Sequence, residues 1–290
     1  MKNNFTRPYS LRRFLNPDGF LTLGNYLMAI IYSLIIAVPF YYLVVSCFKD
    51  NSDIYNFPLN LPRLWTLAKF ARVQAEVNIF HAVGVSFYVT IGAEAISLVL
   101  GFLAAYAIAR IPTKITRFIE PIFAAGFLIP SFAIIVPVFL LAVKVGLFNN
   151  PLSYIFFLSS SSLPFTVILL TSSLREIPRE IEESAEMDGA SRADIILKIM
   201  VPMTTPGIIT IVLINLFGFW NEYLFGWILL GGNLAARTVQ MVVPLLRTAK
   251  NVDYSLVAAG VVVSVIPMMI VFIFFSEKIM SGISTGAVKG

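Results

Sequence analysis

An all-α, polytopic membrane protein is the fold class this sequence predicts, from its composition, its long apolar runs and the placement of its basic residues. Of 290 residues, 58% are hydrophobic and 13% charged, about half the roughly 25% charged share of soluble domains. Mean hydropathy is +0.85. A helix crosses the hydrocarbon layer with about 20 apolar residues. Six stretches reach that length, at roughly 25–48, 79–110, 118–146, 153–173, 204–231 and 254–276. An even count puts both ends on one side. With the ends inside, the cytoplasmic segments hold 13 of the 21 basic residues, Arg12, Arg13, Arg110, Lys114 and Arg117 among them. Lys and Arg set orientation while Asp and Glu contribute little, so the expectation is N-in and C-in in a single transmembrane domain over 1–290.

The first run, Asn25 to Phe48, is too long for a signal-peptide core and lacks a small-residue cleavage site, so it reads as an uncleaved span. The second is written for close packing. Ala93, Ser97, Gly101, Ala105 and Ala109 recur every four residues, a small-residue stripe that lets another helix approach; lining a pore is the alternative use. At some 32 residues this helix outruns the bilayer and is expected to tilt or project. Prolines at 39, 121, 130, 137, 164 and 267 predict kinks. The four serines before Pro164 are placed to satisfy carbonyls that it frees.

Several function classes drop out. Cys47 is the sole cysteine and His81 the sole histidine, which leaves no internal disulfide and no His- or Cys-based metal or triad constellation. The formal charge of +5 is scattered and fits positive-inside bias better than nucleic-acid binding. The chain has no G-x-x-x-x-G-K-[ST] phosphate loop, no H-E-x-x-H and no paired aspartates within its apolar runs. ATP binding by that loop, and intramembrane hydrolysis, are therefore not expected.

The residues between the fourth and fifth spans, about 174–203, are polar in an otherwise apolar chain. Pro178 suits the first position of a helix, and Glu180, Glu182 and Glu183 fall where the helix dipole favours acids. Ile181, Ala185 and Met187 or Asp188 come near one face. Gly189 is the expected break, because glycine reaches positive φ cheaply. Ser191 and Asp194 have capping-box spacing, and Ile195, Ile196, Ile199 and Met200 give the second helix an apolar side. Pro202 and Pro206 end it. Helix, glycine turn, helix is either a lever for a soluble partner or an ordinary solvated loop.

One pattern carries a resemblance. Glu183-Ser184-Ala185-Glu186-Met187-Asp188-Gly189-Ala190, followed by Ile199, Pro202 and Pro206, resembles the EAA loop of binding-protein-dependent ABC importer permeases. Leu103 through Arg110, Trp220-Asn221-Glu222-Tyr223 and the tail Gly282 to Gly290 are similar to the maltose-type, carbohydrate-uptake branch. Ser184 departs from the usual alanine. The resemblance implies a type I importer permease in a bacterial inner membrane. It also implies a second homologous permease, two ATPase subunits that bind ATP and Mg, an extracytoplasmic solute-binding protein and a sugar as partners, with no cofactor held by this chain. The docking residues it implies are Glu183, Ala185, Asp188, Gly189, Ala190, Ser191, Ile199 and Pro202.

Glu94 and Glu222 lie inside apolar runs, where ionisable groups are costly and face a bundle interior or a water-filled cavity. Trp220, Asn221 and Glu222 offer an aromatic plane, an amide and an acid, the groups that hold sugars. With Glu94 they form the candidate substrate path. The competing reading makes Glu94 or Glu222 the proton site of a secondary transporter; the sequence shows no convincing repeat of the kind many such folds carry.

Overall fold

The structure, a computed structural model, describes residues 17–247 and 252–287. The basic N-terminal segment through Arg13 and the last residues of the tail motif lie outside the described residues. Among the described residues the regular structure is helical throughout. Helix α1 covers Pro17–Ser46, and two short helices, α2 (Asn51–Asn56) and α3 (Ala68–Val77), follow it. Two long apolar helices come next, α4 (Ile79–Arg110) and α7 (Pro151–Arg175), with α5 (Lys114–Phe127) and α6 (Ile135–Lys144) between them. The polar segment forms α8 (Arg179–Met187) and α9 (Arg192–Met203). Next come α10 (Thr205–Asn221), α11 (Leu224–Leu230), the single turn α12 (Val239–Val242) and the closing helix α13 (Tyr254–Ala287).

Helix α4 runs for 32 residues without a proline, about 48 Å at 1.5 Å per residue. It starts where Asn78 takes a left-handed backbone, φ 48°, and stops at Ile111, which precedes Pro112 and is steered away from helical geometry. By length and composition, four helices can cross a membrane: α1, α4, α7 and α13. Two bent pairs bring the number to six if each pair is one span. The continuous helix expected over 118–146 is broken, with a 101° bend between Lys114–Phe127 and Ser131–Lys144. Pro130 stands at the break with an extended backbone, ψ 128°. The run expected over 204–231 is broken as well, because α10 ends at Asn221 and Glu222 is extended, ψ 129°.

The core is three clusters stacked along the long helices. Trp220, Val239, Leu256 and Ala259 anchor one end, Tyr154, Phe157, Phe219 and Leu229 the middle, and Tyr106, Leu170, Leu174, Ile195, Met200 and Ile211 the other end. The α4 stripe does what close packing requires. Ala93, Ser97 and Ala105 are fully buried, and a Cβ on Gly101 would lie 2.5 Å from Thr166 Cγ2 of α7. The serines of α7 bond differently from expectation. Their hydroxyls donate to the carbonyls of Ile155, Phe157, Leu158 and Ser159, a turn behind the carbonyl that Pro164 frees. Outward faces stay greasy: Ile31, Leu34 and Ile35 of α1 are each more than half exposed. A surface like this needs lipid or another membrane chain against it.

At the end of the bundle where α2 and α3 lie, ion pairs staple α3 to the start of α13. Lys69 Nζ and Arg72 Nη1 both reach Asp253 Oδ2 at 3.0 Å. Burial works against that carboxylate, but donors from Ser255, Lys69 and Leu256 outweigh it and hold the carboxyl below its usual range.

Candidate docking knob and polar seam

The knob at 178–203 is built on local rules. Helix α8 starts at Arg179 with Pro178 at the capping position, one residue later than expected, because Pro178 keeps an extended ψ of 140°. Glu180 and Glu182 sit in its first turn. It ends in a Schellman turn. Gly189 N donates to Glu186 O and Ala190 N to Ala185 O, both at 3.0 Å, while Gly189 takes φ +83°. That pair of bonds satisfies carbonyls which a helix end leaves orphaned. Ser184 donates to Glu180 O at 2.7 Å, so the hydroxyl in place of alanine is absorbed within the helix.

The second helix starts as its spacing predicts. Ser191 Oγ accepts from Asp194 N at 3.2 Å and donates to Asp194 Oδ2 at 2.6 Å. Lys198, 2.5 Å from that carboxylate, and Ser191 hold the Asp194 carboxyl below its usual range. The stretch Ile195–Met200 is wound as a π-helix. Pro202 cannot donate to Lys198 O, and the turn before it widens so that Val201 N reaches Ile196 O. A 73° bend between α9 and α10 follows.

The knob is seated firmly on the bundle. Ile195 and Met200 are buried in the end cluster, and Ile181, Ala185, Ala190, Ile196 and Ile199 pack against it. Its outer surface carries Glu183, Glu186, Asp188 and Ser191, all exposed. Pro202 is exposed too. Met187 does not share a face with Ile181 and Ala185; it is 89% exposed at the tip. Leu197 of α9 is 67% exposed. Exposed apolar side chains on a knob that also displays Glu183, Glu186 and Asp188 suit a partner that offers apolar and basic groups. The sequence did not mark Met187 as an outward anchor, because spacing put Met187 or Asp188 near the face of Ile181 and Ala185.

The inner attachment was also missed. Arg110 Nε forms an ion pair with Glu182 Oε1, their side chains only 7% and 13% exposed. Arg110 Nη2 donates to Ile177 O at 2.8 Å and Tyr106 OH to Glu182 Oε2 at 3.0 Å. A Tyr-x-x-x-Arg pair on the last turns of α4 puts both side chains on one face, which is the only signal the sequence held.

The candidate substrate residues do not come together as one site. Trp220 is 2% exposed, donates its indole N–H to Ser264 O at 3.1 Å and meets Phe87 edge-on at 5.0 Å. Its ring is core, with no face left for a sugar. Glu222 caps α11: Oε1 accepts from Phe225 N at 2.9 Å, and Oε2 accepts from Gly226 N at 3.0 Å and Tyr154 OH at 2.7 Å. These competing donors are why the helix breaks at this residue. Asn221 is exposed and accepts from Gln240 Nε2 at 3.2 Å. Glu94 belongs to a separate polar seam between α4, α7 and α10. Its carboxylate oxygens are buried without a hydrogen-bond partner, facing Asn215 without closing a bond of full geometry. Ser97 meets Ser162 at 2.6 Å and Thr166 at 3.2 Å.

Glu222→Ala is expected to cost about 1–3 kcal/mol, through a lost cap and an orphaned Tyr154 hydroxyl. Glu222→Gln, which keeps an acceptor, is expected to cost less. Detergent thermal denaturation of the two variants checks the order, and equal losses would contradict the capping role.

Residues 97–282 match the family described as the binding-protein-dependent transport system inner membrane component. The chain belongs to this family. Among relatives of the permease, the diacetylchitobiose uptake system permease protein NgcG of Streptomyces coelicolor is 29% identical over 274 residues, covering 91% of this chain and 88% of the relative. The trehalose/maltose transport system permease protein MalG of Thermococcus litoralis is 29% identical over 278 residues, covering 93% and 96%. The fold is shared with a bacterial ABC transporter involved in the import of the acidic polysaccharide alginate. There the TM-score is 0.80 at 21% identity, over 94% of this chain and 99% of the other. The matched family segment spans the knob, the Trp220–Tyr223 motif and the polar seam except for Glu94.

Proposed function

We propose that the permease is the membrane subunit of an ATP-driven importer for a sugar or oligosaccharide, and that the knob at 178–202 docks an ATPase subunit. The observation that carries this reading is the knob itself: a two-helix projection, seated in the core on one side, with Met187 and acidic side chains displayed on the other. A solvated loop has no use for such an inner attachment. Glu183, Ala185, Asp188, Gly189, Ala190, Ser191, Ile199 and Pro202 fall into two groups. Glu183, Asp188, Gly189, Ser191 and Pro202 are exposed, whereas Ala185, Ala190 and Ile199 hold the knob to the bundle.

The rest of the reading follows from membership in a binding-protein-dependent family and from the carbohydrates in the relatives' names. With α5 and α6 together as the third span and α10 with α11 as the fifth, the chain has six spans, with both ends and the knob on the cytoplasmic side, in a bacterial inner membrane. A second permease covers the exposed apolar faces. A solute-binding protein delivers sugar from outside, and ATP and Mg are bound by the partner ATPases. Closure of the ATPase dimer moves the knob, and the helices above it open outward. Asn221 is the member of the candidate substrate path with exposed surface; Trp220 and Glu222 act behind it as packing and capping groups. The proton-coupled alternative loses ground, since Glu222 is committed to three donors and the family works with a binding protein.

Uptake of labelled oligosaccharide by cells carrying the whole system tests the energy source. ATP depletion is expected to abolish uptake while an uncoupler, at constant ATP, leaves it in place. The opposite pattern would return the proton-coupled reading.

A further inference from the structure

Arg110 ends α4, and Glu182 belongs to α8, 72 positions later in the chain. Burying a charged pair is costly unless its geometry and extra hydrogen bonds compensate. Here they do. Tyr106 OH donates to the second carboxylate oxygen, and a further Arg110 nitrogen donates to Ile177 O, one residue before Pro178 and the knob. Around this polar knot lie Ala109, Leu174, Ile177 and Ile181, which keep water from competing. A knob fixed by apolar contacts alone would tolerate sliding. A directional, three-point polar knot fixes its angle to one helix.

That helix also carries Gly101, Ser97 and Glu94 in the polar seam, so α4 runs continuously from the knob to the middle of the bundle. We propose that Tyr106, Arg110 and Glu182 form a latch that makes α8 and α4 one rigid lever, carrying movement of the knob to the seam that contains Glu94. These are positioning residues, and the assignment rests on the reading of the knob as the ATPase dock. A partner seated on Met187 and Glu183 would push the outer face, and the latch on the inner face would turn that push into rotation or tilt of α4. Without the latch, the knob can follow the ATPase while the membrane helices lag behind.

The test uses the complete transporter in proteoliposomes, with its binding protein and a labelled oligosaccharide, and reads sugar imported per ATP hydrolysed. Wild-type complex must first retain the ATPase on purification; if it does not, the docking reading fails and the latch is not at issue. With ATPase retained, Glu182→Ala and Arg110→Ala are each expected to lower the import-to-hydrolysis ratio about tenfold, the scale of an allosteric coupling. The double variant is expected to be no worse than either single one, because partners in one interaction are non-additive. Tyr106→Phe, which removes one of the three points, should fall between wild type and Glu182→Ala. A merely structural pair would lower the amount of assembled complex and leave the ratio of what assembles unchanged. That outcome, or additive losses in the double variant, would overturn the latch.

Discussion

Gly189→Asp is expected to abolish coupled sugar import while the protein still inserts into the membrane. Gly189 holds φ +83°, and no heavy atom lies within 4 Å of where a Cβ would stand. The substitution therefore meets no clash. Its cost is in the backbone, about 1–2 kcal/mol for a side chain in left-handed geometry, and in a new carboxylate on a surface that already displays Glu183, Glu186 and Asp188. The strain falls on the two bonds that close the turn, Gly189 N to Glu186 O and Ala190 N to Ala185 O, which set the angle between α8 and α9. Asparagine enters the same backbone region and brings no charge. Gly189→Asn is therefore expected to keep a measurable share of import. Import and ATPase stimulation by the binding protein, measured for both variants at matched expression, separate strain from charge. Normal import by Gly189→Asp would contradict the role given to the turn.

Gly101→Ala is expected to be the most disruptive single methyl in the membrane core. The added Cβ would stand 2.5 Å from Thr166 Cγ2 and 3.2 Å from Thr166 Cβ. Thr166 cannot swing aside without loss, because it is fully buried and its hydroxyl meets Ser97 at 3.2 Å and Asn215 at 3.4 Å. Overpacking of a filled core costs about 1–3 kcal/mol, and here it separates α4 from α7 along the seam. Thr166→Ser removes the offending methyl and keeps the hydroxyl. The double variant Gly101→Ala with Thr166→Ser should recover most of the thermal stability lost by Gly101→Ala alone. Failure of the serine to rescue would mean that the strain lies elsewhere in the seam.

Much of this was legible in the chain because bilayers and helices impose simple rules. The small-residue stripe of α4, the break at Gly189 and the cap at Ser191 each followed from one local principle, and each is present. The bends were harder. Pro130 marks a site of weakness, but a proline inside α7 at 164 leaves that helix unbroken, so sequence does not separate a kink from a right-angle break. Trp220 and Glu222 misled for a related reason. Sequence shows which groups adjoin along the chain, whereas Tyr154, Ser264 and Phe87, which occupy them, come from distant helices. Glu182 was invisible as a latch because its partner on α4 is known only once the two helices pack. Among the acids of α8 nothing local distinguishes it from Glu183.

Co-purification tests the central claim most directly. The tagged permease is extracted from its native membrane in mild detergent, beside a Met187→Glu variant that places a charge on the exposed tip. Recovery of an ATPase subunit with a P-loop and of a second, different permease is expected with the wild type. The ATPase alone should be lost from the variant. Recovery of the chain by itself, or an ATPase that stays bound despite Met187→Glu, would contradict docking through the knob.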